Sequence, residues 1–292
     1  MELDPIIHNG FLEVMLFEKS ILDHAAEEGL PALGVGGIGS SFAAFLLGIT
    51  EINPLPAHYY CPHCHHFEWP EGMDPAGSID LIDYDLPEKA CPVCGHKLTG
   101  DGFNIPFENL TTCHFNRIPY IMIRAEAATS RRLQQWIERE YMEEPHPDEP
   151  LYIETQDIGE LLASDKAKAL LQECEPSLKP TFLNQMRVLA IVEAPENWGQ
   201  DITSLDENIP FFREDIYQRL VNSGVSREYA DATMTGIRKG RLTAEGNAWM
   251  VETMEDAGLD PAFIDNCKKI RYIRNKADLA AELLQYRKHE SL

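Results

Sequence analysis

The stretch GVGGIGSSFAAFLLGITEINPLPAHYYCPHC, residues 34–64, decides how this chain is read. It opens on Gly34, Gly36 and Gly39, which fall on the spacing of a dinucleotide-binding fingerprint. Behind them SSFAAFLLGI reads as a helix start, a hydroxyl cap followed by an apolar face. The run NPLP, residues 53–56, is expected to end that helix. A dinucleotide unit also needs an acidic residue on a second strand about 20 positions after the glycines. Here that region holds NPLP, two tyrosines and a cysteine pair, so the dinucleotide reading is set aside.

The cysteine pair has a partner. Cys61-Pro-His-Cys64 and Cys91-Pro-Val-Cys94 are separated by 26 residues. Thiolates two residues apart converge because the tight turn aims both sulfurs the same way, and two such turns supply the tetrahedral set that zinc prefers. Pro62 and Pro92 stiffen the turns, and Gly95 lets the chain double back. The expected cofactor is a structural zinc held by Cys61, Cys64, Cys91 and Cys94, with no open position and no water to activate. His63, His65, His66 and His96 lie nearby and are left out, because four thiolates already close the set. Cys113, Cys174 and Cys267 read as small buried residues, and Cys113-His114 as an unpromising nucleophile and base, since sequence neighbours rarely face each other. Asp83-Tyr-Asp85 has the form of a magnesium-holding pair, but its place inside the cysteine module favours a turn.

Composition bounds the rest. The chain has 292 residues, 44% hydrophobic and 25% charged, enough for one large domain or two modest ones with a real core. A formal net charge of −23 argues against a protein whose main work is coating a polyanion. No apolar run is long enough to span a bilayer, and the acidic start MELDPIIHNG lacks the order of a signal peptide; no membrane role and a cytoplasmic location are expected.

FLEVMLFEKSILDHAAEEGL carries apolar residues at helical spacing. IPYIMIRAEAATSRRLQQWIEREYMEE reads as a short buried strand and a charged helix. Residues 143–175 hold ten acidic and two basic residues, net −8, and begin on the turn-rich EEPHPDEP. From residue 179 short amphipathic helices follow, split by glycine turns, with Asp260-Pro261 forming a cap and first-turn proline. Such helix pairs are more often plain packing than a DNA-reading motif.

Taken in order, GIGSSFAAFLLGITEINPLPAHYYCPHC, DLPEKACPVCG and GFNIPFENL resemble the PolC-type DNA polymerase III alpha subunit, a C-family bacterial replicase. That likeness runs over about residues 33–119. A second covers about residues 179–288, where IRKGRLTAEGNAWMVETMEDAGLDPAFIDNCKKIRYIRNKADLAAELL is similar to the family's helical fingers. The resemblance implies that the glycine loop descends from a phosphate-binding loop, with Gly36, Gly39, Ser40 and Ser41 at its backbone and hydroxyl positions and Lys276 in the fingers. It also shows what is missing. The family's loop arginine is Val35 and its following serine Gly37. The family runs Val-Pro-Asp-Ile-Asp-Leu where this chain has residues 118–123, so the two magnesium-holding aspartates are Tyr120 and Met122. Lys276 and Ala277 are kept, but the family histidine is Asp278 and a downstream tyrosine is Glu282.

The expected fold class is therefore α+β: a remnant of a C-family palm with an inserted four-cysteine zinc module, then a mainly helical fingers-like region. The expected segments are 1–57 (helix, glycine loop and palm-like part), 58–102 (zinc module), 103–142 (degenerate palm strand and helix), 143–178 (acidic linker) and 179–292 (fingers-like). The expected function is that of a catalytically inactive polymerase paralogue, with no catalytic residues. It would bind a replisome protein or the replicative polymerase, or DNA with the acidity against it. Two alternatives are a nucleotidyltransferase with carboxylates rebuilt from Asp80, Asp83, Asp85 or residues 143–175, and an acidic DNA mimic that blocks replication.

Overall fold

A left-handed Gly10, φ 73°, separates two helices at the start of the chain, α1 (Leu3–His8) and α2 (Phe11–Glu27). The apolar spacing of α2 turns Phe11, Met15, Ile21 and Ala25 inward together with one acid, Glu18. These elements belong to a computed structural model of the chain, which describes residues 2–72, 81–106, 122–125, 127–141, 151–152, 158–174, 180–198 and 202–290. It divides into two units, Met1–Gln156 and Asp157–Leu292.

In the first unit the chain continues through β1 (Ala32–Gly34), a 3-10 turn (Ile38–Ser40) and α3 (Phe42–Leu47). The cysteine module supplies β2 (His58–Tyr60), β3 (Phe67–Glu68) and β4 (Thr99–Asp101). Then come β5 (Ile123–Ala125), α4 (Ala127–Glu140) and β6 (Leu151–Tyr152). Two three-stranded sheets result, β1-β5-β6 and β3-β2-β4. β1 runs antiparallel to β5, with Gly34 opposite Ile123, and β5 runs parallel to β6. The helix after the glycine loop thus leads from a strand that is antiparallel to its neighbour, unlike the parallel unit of a dinucleotide fold. One cluster of Ile6, Phe11, Met15, Ile38, Ala44 and Ile49 seats α1 and α3 on α2. A second, of Ile21, Ala25, Ile123, Leu133 and Ile137, seats α4 and the sheet on its other end.

The helix α3 starts where the sequence places it, Ser41 accepting a hydrogen bond from the Ala44 N–H at 3.2 Å. It ends earlier than expected. Gly48, at φ 75°, closes it after Leu47, before NPLP is reached. NPLP has another task. Asn53, Pro54 and Leu55 accept backbone hydrogen bonds from Phe103, Ile105 and Asn104 at 2.8–2.9 Å, which ties the start of the cysteine module to its end.

Close packing at Gly34 sets up one test. A Cβ there would stand 2.5 Å from the Ile49 carbonyl oxygen and 2.8 Å from its Cγ2. Because a backbone atom cannot yield as a side chain does, Gly34→Ala is expected to cost about 1–3 kcal/mol in chemical denaturation. Unchanged stability would mean that β1 does not press on residue 49.

The second unit is helical: α5 (Ile158–Ala163), α6 (Asp165–Cys174), α7 (Phe182–Val192), α8 (Pro195–Trp198), α9 (Arg213–Asn222), α10 (Arg227–Arg238), α11 (Ala248–Asp256), α12 (Pro261–Lys269) and α13 (Lys276–Glu290). Side-chain caps mark several of the starts. Thr181, Ser226 and Asp260 accept from the N–H groups of Asn184, Tyr229 and Ala262, and Pro261 follows its cap as expected. The stretch read as an acidic linker, 143–178, contains β6, α5 and α6. Ala167 and Leu170 are buried there, while Glu160, Asp165 and Glu173 of the same helices are exposed. EEPHPDEP lies outside the described residues. Among the described residues no helix is long and apolar enough to cross a membrane.

Candidate functional site

Two knuckles of one design build the cysteine cluster. In the first, the Cys61 N–H donates to the His66 carbonyl at 2.8 Å, and the His65 N–H donates back to the Cys61 carbonyl at 2.9 Å. In the second, the Cys91 N–H donates to His96 at 2.7 Å and the Gly95 N–H to Cys91 at 2.9 Å. The residue after the second cysteine takes the left-handed region in both, Gly95 at φ 75° and His65 at φ 60°. Glycine enters that region freely, and histidine only at a cost.

The turns face each other. Cys61 Sγ lies 3.5 Å from Cys94 Sγ and Cys64 Sγ 3.6 Å from Cys91 Sγ. All four sulfurs lie within 4.8 Å of one another. A tetrahedral ion with bonds of about 2.3 Å needs sulfurs about 3.8 Å apart, so the set can hold a metal ion with little movement. Cys61 and Cys91 are buried, and they pack with Tyr59 and Leu98 into the module's small core. The Cys64 and His63 N–H groups pull the Cys61 thiol down to about 7, against the cost of burial. At Cys94 the His96 N–H favours the thiolate, but burial and the other sulfurs outweigh it and push that thiol up to about 12. Without an ion, four sulfurs this close cannot all be anionic at neutral pH. Of the other cysteines, Cys267 is buried in α12, while Cys113 with His114 and the Cys174 side chain lie outside the described residues.

Asp83-Tyr-Asp85 forms the 3-10 turn expected of it (Asp83–Asp85). Burial pushes the Asp83 carboxyl up to about 7; the Tyr84 N–H opposes that, and Asp101 and Asp85 add to it. Asp80 lies outside the described residues. A carboxyl whose folded value is raised stabilises the fold fully below its unfolded value near 4, and that contribution is lost as pH rises through about 7. Asp83→Asn should therefore raise the melting temperature at about pH 8 by a few degrees and leave it nearly unchanged at about pH 4. An equal effect at both pH values would deny Asp83 this part.

The glycine loop meets position 122. The Val35 N–H donates to the Met122 carbonyl at 2.8 Å. Gly36, at φ 80°, faces the Met122 side chain so closely that a Cβ would stand 2.8 Å from Sδ. Val35, where the likeness expects an arginine, is 1% exposed. Ser40 Oγ donates to the Gly37 carbonyl at 2.9 Å, and Ser41 caps α3. Both hydroxyls, at positions the likeness would aim at a phosphate, serve local turns and are buried. Tyr120 lies outside the described residues. A carboxyl that sequence reasoning missed stands beside this loop. Glu18 is fully buried, and a Cβ on Gly34 would lie 3.1 Å from its Oε1. Neither oxygen has a hydrogen-bond partner among the described residues, and burial holds the carboxyl well above the usual range. Its signal was its place midway between Met15 and Ile21 on the inward face of α2.

In the second unit Lys276 opens α13 and is 3% exposed, its N–H donating to Glu214 Oε2 at 2.8 Å. The acids at the positions where the likeness expects a histidine and a tyrosine have internal partners. Asp278 accepts from Asn275 Nδ2 at 2.7 Å, and the Asn275 side chain caps the helix by accepting from the Asp278 N–H. Glu282 pairs with Arg274, which also binds Glu193 at 2.7 Å. These acids brace the turn before α13 and do not stand as free charges.

A four-cysteine module set into a mixed helix-and-sheet unit, behind a glycine loop tied to a central strand, is the class of domain in hand. The model of the bacterial DNA polymerase III alpha NTPase domain matches residues 1–146, half of the chain, and the chain belongs to that family. It is similar to the PolC-type DNA polymerase III of Thermotoga petrophila, 38% identical over 137 residues, which cover 47% of this chain and 10% of the relative. The PolC-type enzyme of Oceanobacillus iheyensis is 40% identical over 121 residues, 41% of this chain and 8% of that one. That of Lactococcus lactis is 39% identical over 121 residues, 41% of this chain and 7% of its own length. The chain thus spans a tenth or less of the curated relatives it matches.

Proposed function

We propose that this chain is a zinc-braced, catalytically inactive relative of the PolC-type alpha subunit, acting in DNA replication by binding. Its partner on this reading is a replisome protein or the replicative polymerase. The observation that carries the proposal is Met122. The family likeness puts a magnesium-holding aspartate at this position, and here a thioether sits against Gly36 of the glycine loop. Hard divalent cations require anionic oxygen, and sulfur in a thioether does not serve. Buried Val35 in place of the loop arginine, and Asp278 and Glu282 tied to Asn275 and Arg274, support the same reading from separate elements. Each loss alone would slow phosphoryl transfer that depends on two metals and on charge neutralisation. The net charge of −23 favours a protein surface over DNA as partner.

On this reading residues 1–57 and 103–142 are a palm remnant, 58–102 the zinc module and 179–292 a fingers-like region. The zinc fills a closed set of four sulfurs and braces the fold. Primer extension with magnesium is the test, and no extension is expected. Tyr120→Asp combined with Met122→Asp is expected to stay inactive too, since the loop arginine is still absent. Template-dependent extension by either protein overturns the proposal. Pull-downs against duplex DNA and purified replisome proteins, at low and high salt, test the partner. Salt-resistant capture of a replisome protein supports the assignment, and retention on DNA alone reverses it.

A further inference from the structure

The two knuckles bring together more than sulfur. His63 lies between the cysteines of the first, and His96 follows Gly95 in the second. Because the turns face each other, the two imidazoles meet at one edge of the cluster, stacked with centroids 4.0 Å apart and planes 8° from parallel. A ligand atom from each ring and Cys94 Sγ all lie within 4.8 Å of one another. Both histidines are exposed and Cys94 is half-buried. The neighbouring histidines are placed differently: His66 Nε2 lies 2.9 Å from Glu68, and His65 forms the left-handed corner of its knuckle.

A thiolate bound to one ion keeps lone pairs for another. Two imidazole nitrogens and a bridging thiolate form a mixed nitrogen and sulfur set of the kind that zinc, cobalt, nickel and copper accept. Three protein ligands leave a fourth position for water or a further ligand. Drawing the ligand atoms onto one ion requires the two exposed rings to turn. We propose that His63, His96 and Cys94 form a second, solvent-facing site for a borderline-soft divalent transition ion, sharing Cys94 with the four-sulfur site. This rests on the four-sulfur reading, because Cys94 serves both.

The test uses the full chain, stripped of metal and kept reduced. Zinc is titrated by calorimetry, and cobalt by absorption under anaerobic conditions. Wild type should take two equivalents. The first should show a four-thiolate cobalt spectrum, and the second, weaker, a spectrum with nitrogen ligation. His63→Ala with His96→Ala should keep the first equivalent at unchanged affinity and lose the second. Saturation of wild type at one equivalent overturns the second site while leaving the first intact. Retention of the second equivalent in the double variant also overturns it, since other side chains would then hold the ion. Cys91→Ser separates the two readings: if it leaves the first equivalent unchanged, the four-sulfur assignment fails and the shared site with it.

Discussion

Cys91→Ser is expected to lose its metal and much of the cysteine module's stability in one step. Cys91 is 3% exposed, its N–H is bound to the His96 carbonyl, and its sulfur accepts from the Val93 N–H at 3.4 Å. Serine preserves the turn but replaces a thiolate with a hydroxyl that stays protonated at neutral pH, leaving three sulfurs for the ion. Among the described residues the cluster around the sulfurs is small. It consists of Tyr59, Cys61, Cys91 and Leu98 with Leu86 packed against them, whereas structural zinc supplies about 10–16 kcal/mol in isolated zinc-finger peptides. Even a fraction of that, about 3 kcal/mol, lowers the melting temperature by roughly 6–12 °C in a domain of this size. Elemental analysis and calorimetry on the same sample should show both losses. Full zinc stoichiometry in the variant would remove Cys91 from the site.

The second large effect concerns Glu18 and runs with pH. The carboxyl is buried against Gly34 without a hydrogen-bond partner among the described residues, and burial raises its value well above the usual one. A group raised in this way stabilises the fold fully below its unfolded value and withdraws that contribution as pH climbs through the folded value. Wild type should therefore weaken from acid towards alkaline pH. Glu18→Met, of similar length and without polar atoms, is expected to raise stability by about 1–3 kcal/mol near neutrality, and more at higher pH. Glu18→Gln should flatten the pH dependence while keeping the cost of a buried polar group. Urea unfolding at two pH values reads all three proteins. A Glu18→Met variant no more stable than wild type at alkaline pH would mean that Glu18 has found a partner or water.

What could be read from the sequence was mostly local. Knuckle spacing announced the sulfur cluster because two residues and a tight turn are enough to aim a pair of thiolates. Ser41 and Asp260 announced helix starts because a cap acts within three residues. What escaped needed distance. The histidine stack arises only once two turns far apart in sequence are superposed. Nothing in the sequence tied Asp278 and Glu282 to Asn275 and Arg274, which the turn before α13 brings onto them. Residues 143–178 looked like linker because the acids of 143–175 outnumber its bases ten to two, a count that does not reveal the packing of Ala167 and Leu170. Glu18 escaped because helical spacing says which face is inward, and an acid on that face was counted as a gap.

The bond from the Val35 N–H to the Met122 carbonyl holds the glycine loop against the strand using main-chain atoms only. No side chain at either residue takes part, so this link is indifferent to drift at both. An ancestral scaffold joined in this manner can shed its chemistry residue by residue while its geometry is inherited whole. On the proposed reading, decay of activity and preservation of shape are separate evolutionary events, and selection can keep the second long after the first.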